Sequence, residues 1–134
     1  MRMLSVDRDD RGQALSSFFA VVMVALFLTA GLVIDGGAKS AASRVAHGAA
    51  AEAARAAVDA GARARAGGRP VDLGAVQAAG RDVLTVRGVE GAVTVRAGRV
   101  KVTTAKTVDT LFLGLVGVPT LTAHAEASAM LLTP

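Results

Sequence analysis

The sequence of 134 residues contains no cysteine, tryptophan or tyrosine, and only four phenylalanines. Without cysteine the chain has no disulfide framework, no thiolate metal site and no thiol nucleophile. Many exported domains also lack disulfides, so the absence of cysteine does not identify the cellular compartment. The scarcity of aromatic side chains removes the stacking platforms of proteins that bind single-stranded nucleic acid. These absences exclude several classes of enzyme and nucleic-acid-binding protein.

The net charge of +4 is concentrated in one part of the chain. Residues 1–34 carry three basic and three acidic side chains, residues 35–69 carry six and three, and residues 70–134 carry six and five. A basic excess directly after an apolar run is typical of a juxtamembrane segment and not of a groove-binding domain. We therefore expect no nucleic-acid partner. The shortage of large side chains also argues against a substrate-enclosing interior, so we expect no small-molecule substrate.

Small and apolar residues are abundant: 52% of the chain is hydrophobic, with 29 alanines and 15 glycines. The run from Gln13 to Ile34 holds no charged residue and is bounded by Arg11 and Asp35. As a helix, residues 14–34 would measure roughly 32 Å, enough to cross a hydrocarbon core of about 30 Å. The sequence thus predicts a single membrane-spanning helix in the lipid bilayer, with a cleaved signal sequence and a buried core helix as the alternatives.

An alanine-rich stretch without proline follows and predicts a helix continuous with the apolar run, with a candidate hinge at Gly36 and Gly37. Its polar residues fall at helical spacing on one face: Ser40, Arg44, His47, Arg55, Asp59 and Arg63. Alanines form a second, smooth face: Ala42, Ala46, Ala49, Ala53, Ala57, Ala60 and Ala64. This alanine face either docks on the protein's own sheet or packs against a second helix in an assembly.

The helix is expected to end near Gly67 and Gly68, before Pro70. A short helix is predicted over residues 72–83, and alternating patterns predict strands over residues 92–96, 100–104 and 121–130. A hairpin turn with Gly98 in the left-handed conformation joins the first two strands, and four valines should face inward: Val93, Val95, Val100 and Val102. The apolar residues 110–118 are expected to close the core as a short helix or plug, or else to dip into the lipid surface.

The predicted fold class is therefore α+β, with a long N-terminal transmembrane and stalk helix and a small three-stranded antiparallel sheet domain. The corresponding divisions are a cytoplasmic tail, a span, a stalk and a domain: residues 1–12, 13–34, 35–69 and 70–134.

No motif for phosphate, dinucleotide or zinc binding and no nucleophile elbow occurs in the chain. His124 and Glu126 share one strand face, but two ligands do not make a metal site. His47 belongs to the polar face of the stalk. We expect no enzymatic activity, no cofactor and no metal.

The segment RGQALSSF, residues 11–18, resembles the start of the TadE/TadG-like proteins, minor pseudopilins of the tight-adherence (Flp) pilus system. That family begins with a charged tail, a glycine, a glutamate five residues later, then a phenylalanine and a long apolar helix. Gly12 and Phe18 match, whereas Ser17 stands where the family has its glutamate. Residues 35–37, Asp-Gly-Gly, resemble the Asp-x-Gly that follows the family's helix, and residues 49–57 and the chain's ending are similar as well.

The resemblance implies a non-catalytic, single-pass subunit of a pilus assembly or secretion apparatus in the inner membrane, with its C-terminal domain extracytoplasmic and other pseudopilin subunits as partners. It also implies processing by a prepilin peptidase between Gly12 and Gln13, although Ser17 departs from the pattern that accompanies cleavage. Charge alone does not orient the span, because three basic residues lie close to each end. The alternative is a membrane-tethered extracytoplasmic binding or envelope protein unrelated to pili.

Overall fold

The N-terminal half of the protein is a single helix, α1, which spans Asp9–Ala66 and is 58 residues long. The computed structural model describes residues 9–131, and their side chains from residue 12 onward, so most of the predicted tail of residues 1–12 lies outside it. The helix is unbroken at Gly36 and Gly37, so the candidate hinge is not a break in this structure. It ends where predicted, with Gly68 at a φ of +69° and Pro70 two residues later.

A second helix, α2, spans Leu73–Val86 and extends three residues beyond the predicted end. The side chain of Asp72 caps its N-terminus by accepting a hydrogen bond of 2.8 Å from the backbone N–H of Gly74. Gly88, at a φ of +60°, lies just after the helix and leads the chain into the sheet.

Three strands form one antiparallel sheet in the order β1-β2-β3: Glu90–Arg96, Arg99–Asp109 and Thr120–Met130. Ala97 and Gly98 both have positive φ values, of 48° and 70°, as in a type I′ hairpin turn, which matches the twist of the flanking strands. β2 continues five residues past the predicted end, because each of those residues is paired in register with β3 although their side chains no longer alternate apolar and polar. The predicted α+β class with a three-stranded sheet is confirmed.

The core lies between the sheet and the alanine face of α1, with α2 closing one side. It consists almost entirely of small side chains: Ala49, Ala50, Ala53, Ala54, Ala57, Val76, Leu84, Val89, Val93, Val100, Val102 and Leu131. Of the four valines expected to face inward three are buried, while Val95 is half-buried at the edge. The alanine face thus docks on the protein's own sheet, the first of the two alternatives, and the polar face of α1 is exposed.

The β2–β3 hairpin lies along the second half of α1, from Asp35 to Gly61. At one end Leu131 packs against Gly61, and at the other the hairpin tip meets Asp35. The part of α1 between Asp35 and Gly61 measures about 39 Å and an eleven-residue strand about 36 Å, so the two lengths match. In between, the buried hydroxyl of Thr104 donates to the carbonyl of Ala46 at 3.0 Å.

The first half of α1 has almost no protein cover. Phe18, Leu26 and Leu32 are each 60% or more exposed, and only 6% of the most apolar 18-residue window is buried. Within the described residues, α1 is the one helix long and apolar enough to cross a membrane.

Candidate functional site

A buried carboxylate marks the boundary between the apolar and alanine-rich parts of α1. Asp35 is the first charged residue after the apolar run, yet only 1% of its surface is exposed. Its Oδ1 accepts a hydrogen bond from the backbone N–H of Leu111 at 2.8 Å, and its Oδ2 accepts from those of Phe112 and Leu113 at 3.0 and 2.7 Å. One carboxylate therefore holds three consecutive backbone amides of a segment 76 residues away in the sequence.

These hydrogen bonds favour the ionised form of the side chain. Donation from the backbone N–H of Leu113 has the largest effect and lowers the pKa of Asp35, burial opposes it, and donation from Leu111 and Phe112 lowers the pKa further. The net result is a pKa below the ordinary aspartate range. The carboxylate is thus a charged clamp at neutral pH.

Gly31 lies one turn before Asp35 on the same face of α1, and the ring of Phe112 packs directly on it. A Cβ atom at Gly31 would lie 2.5 Å from the Cβ and 2.7 Å from the Cγ of Phe112, closer than such atoms approach one another in proteins. The Cβ is the part of a phenylalanine that moves least, so the contact requires glycine at this position. Gly31 and Asp35 together form a docking point on the helix.

The docked segment is the connection between β2 and β3, here called the β2–β3 loop, residues 110–119. It contains one turn of 3-10 helix, Leu113–Val116, followed by Gly117 at a φ of +91°. Leu111, Leu115 and Val116 are 70%, 83% and 66% exposed, and no residue of the helical turn is buried. The expectation that this segment closes the core is therefore wrong, because its bulky side chains lie beside α1 and away from the sheet's inner face.

An apolar groove of about 580 Å³ lies between the loop and the helix, beside the contact of Phe112 with Gly31. It is lined on both sides by apolar residues: Phe27, Leu28, Gly31, Leu32, Phe112, Leu113, Leu115 and Val116. The groove continues directly into the uncovered surface of the first half of α1. Because every lining residue is apolar or glycine, the groove is suited to apolar contacts.

The residues singled out for processing lie elsewhere. Gly12, Gln13 and Phe18 are exposed residues near the start of α1, and the carbonyl of Gly12 accepts a hydrogen bond of 2.8 Å from Ser16 Oγ. The bond between Gly12 and Gln13 thus lies within helical backbone, about 34 Å along α1 from the Asp35 clamp. Cleavage there stays a prediction.

The histidines do not assemble a metal site. His47, His124 and Glu126 border one open groove of about 460 Å³ on the sheet's side of α1, and Glu126 forms an exposed ion pair with Lys101 at 2.9 Å. Within residues 12–131, no group of three or more His, Asp or Glu side chains is placed to hold a metal ion. The sequence analysis did not predict the Asp35 clamp. A single acidic residue at the end of an apolar run is the signal that could have indicated it.

Comparison of the chain with protein-family models, curated proteins and solved structures finds no match.

Proposed function

We propose that this protein is a non-catalytic, single-pass membrane subunit of a tight-adherence (Flp) pilus assembly or secretion apparatus. The observation that carries the proposal is the division of α1 into two halves. The first half is apolar and uncovered, and the second half is covered along one face by a sheet domain of matching length. Such a chain is built to hold a small domain at a membrane, which is how a pseudopilin-like subunit would be anchored.

The division also supports a proposal about the surface that meets other subunits. The alanine face of α1 is occupied by the protein's own sheet, so it is not free to pack against a partner helix. The apolar half remains, with exposed side chains such as Phe19 and Val24 around its circumference. We propose that partner subunits are bound in the inner membrane through this half, with the sheet domain on the extracytoplasmic side.

Cross-linking in the membrane tests the proposal, and the absence of native cysteine makes every single-cysteine variant unambiguous. Four consecutive positions, residues 23–26, sample all faces of a helix because successive residues are about 100° apart. After labelling of the thiol with a maleimide-linked benzophenone and irradiation, which joins the benzophenone to a nearby C–H bond, we expect one or two of these variants to cross-link to another single-pass subunit in cells that assemble the pilus, with the partner identified by mass spectrometry. Ala57→Cys, buried against the protein's own sheet, is the matched control and should give no intermolecular product.

If none of the four positions cross-links while the protein remains membrane-integrated, the assembly role is wrong. The membrane-tethered binding or envelope protein then becomes the better description. Recovery of the protein in the soluble fraction would contradict both.

A further inference from the structure

The β2–β3 loop presents a bulky apolar surface at the end of the helix that we propose to span the membrane. Residues 110–118 contain no charged side chain, and Leu111, Leu115 and Val116 point away from the core. This surface is continuous with the uncovered half of α1, since Phe27 and Leu28 line the same groove as Leu115 and Val116. The medium that surrounds α1 near Phe27 and Leu28 therefore also contacts the loop.

Most backbone N–H groups of the loop are paired, which favours a hydrocarbon environment, where each unpaired N–H or C=O costs several kcal/mol. The amides of residues 111–113 donate to Asp35. Thr110 donates to the carbonyl of Pro119, Leu115 to that of Phe112, Gly117 to that of Gly114 and Val118 to that of Leu113, at 2.9 to 3.2 Å. Seven backbone N–H groups of the loop thus have a protein partner, which lowers the cost of placing it among acyl chains.

The position of the loop along α1 fits the depth of a lipid interface. Phe27, at the groove's far end, precedes the end of the apolar run at Ile34 by seven residues, or about 10 Å of helix. Interfacial apolar surfaces are buried by about 5–10 Å at the boundary between headgroups and acyl chains. The loop therefore extends along the helix over the depth that such surfaces occupy.

From this geometry we infer that the β2–β3 loop is a second membrane-binding element, which inserts among the phospholipid acyl chains of the leaflet nearest the sheet domain. Leu111, Leu115 and Val116 contact the acyl chains, the apolar groove accommodates part of one chain, and Asp35 holds the loop against α1. The inference rests on the proposed function only in that α1 must cross a bilayer. The loop would then fix the sheet domain against the membrane surface at two points.

Tryptophan fluorescence tests this inference, because the chain has no native tryptophan or tyrosine. The full-length variants Leu115→Trp, Leu73→Trp and Met23→Trp are reconstituted in phosphatidylcholine vesicles with bromine on the acyl chains, either near the headgroup or near the chain end. Leu73 is the matched control, since it is a half-exposed leucine next to Arg65 at the far end of α1. Met23 reports on the span itself.

We expect headgroup-proximal bromine to remove more than about half of the Leu115→Trp fluorescence, as insertion by 5–10 Å requires, and to leave Leu73→Trp unchanged. Met23→Trp should be quenched more strongly by bromine near the chain end. Quenching of Met23→Trp without quenching of Leu115→Trp would overturn the inference alone. A blue-shifted but unquenched Leu115→Trp would also overturn it, by showing burial against protein. Absence of quenching at Met23→Trp would contradict the membrane span and thus the proposed function.

Discussion

At the scale of single residues, Asp35 is the one buried charged side chain within the described residues. A carboxylate with 1% exposure next to an apolar run is unfavourable unless its lone pairs are occupied. Three backbone N–H groups occupy them here, and in return the carboxylate satisfies three amides that the loop cannot pair internally. Asp35 and the loop thus each supply the hydrogen-bond partners that the other lacks.

Asp35→Asn should release the loop from α1. The amide group has one acceptor oxygen, so in either orientation its NH₂ faces at least one backbone donor, and the hydrogen bonds that remain lose their charge assistance. We expect faster amide hydrogen exchange at residues 111–113, measured in detergent micelles, with the core strands unchanged. Asp109→Asn is the control. It makes the same chemical change at an exposed carboxylate that lies just before the loop. Equal exchange in wild type and Asp35→Asn would contradict the clamp.

The lowered pKa of Asp35 predicts an acid transition of the loop. A group whose pKa is depressed on folding stabilises the folded state above its unfolded pKa, about 3.9 for aspartate, and this contribution is lost as the pH falls through the lower folded pKa. The emission of Leu115→Trp should therefore stay constant from neutral pH to about 4 and change only below that. The same variant carrying Asp35→Asn should lack this transition, whereas a transition present in both would assign it to other carboxylates.

Gly31→Ala should displace the loop by steric contact. The added methyl group meets the Cβ of Phe112, and overpacking of this kind costs about 1–3 kcal/mol. The gain in helix propensity offsets up to about 1 kcal/mol of that cost. Gly37→Ala is a close control, because nothing lies within 4 Å of its Cβ position and only the propensity gain applies. Loop amide exchange should accelerate in Gly31→Ala and not in Gly37→Ala; acceleration in neither would show that the contact is dispensable.

At the scale of secondary-structure elements, the patterns that predicted correctly are those with a local cause. The continuity of α1 follows from its alanines, its end from Gly68, and the β1–β2 turn from Gly98. The two features that sequence reasoning missed depend on distant partners. β2 extends to Asp109 because β3 pairs with it, and residues 110–119 lie against α1 because Asp35 and Gly31 accept them there. Neither partner is visible in the pattern of the segment itself.

The alanine face of α1 predicts a strong size dependence at the helix–sheet contact. Ala53→Leu introduces three further carbon atoms at a position with 0% exposure, near the point where a Cβ atom on Gly80 of α2 would lie 3.2 Å from the carbonyl oxygen of Ala53. We expect the free energy of unfolding in mild detergent to fall by about 1–3 kcal/mol. Ala62→Leu, exposed on the same helix, should leave it unchanged to within about 0.5 kcal/mol. Similar losses in both variants would mean that the face is not packed as described.

At the scale of the whole molecule, α1 is shared between two environments, and Asp35 lies at their boundary. Beyond that residue the helix supports a core of alanine and valine, which is small enough that the sheet domain depends on its helix for stability. Before that residue the helix has almost no protein cover besides the β2–β3 loop, whose Phe112 packs on Gly31. The hairpin tip lies at the boundary as well, so the sheet domain is expected to stand with its long axis along the helix and its tip at the membrane.

The proposed orientation predicts which side of the membrane the sheet domain occupies. Val86, at the end of α2, is 86% exposed, so a cysteine there should be accessible without disturbing the fold. In intact spheroplasts we expect a membrane-impermeant maleimide to label Val86→Cys as fully as it does after permeabilisation, because an extracytoplasmic domain meets the reagent directly. Ala57→Cys, at 0% exposure, controls for reagent access to folded protein and should react only after denaturation. Labelling of Val86→Cys only after permeabilisation would place the domain in the cytoplasm. It would contradict the proposed pilus role, since a domain on that side cannot contact an assembling extracytoplasmic filament.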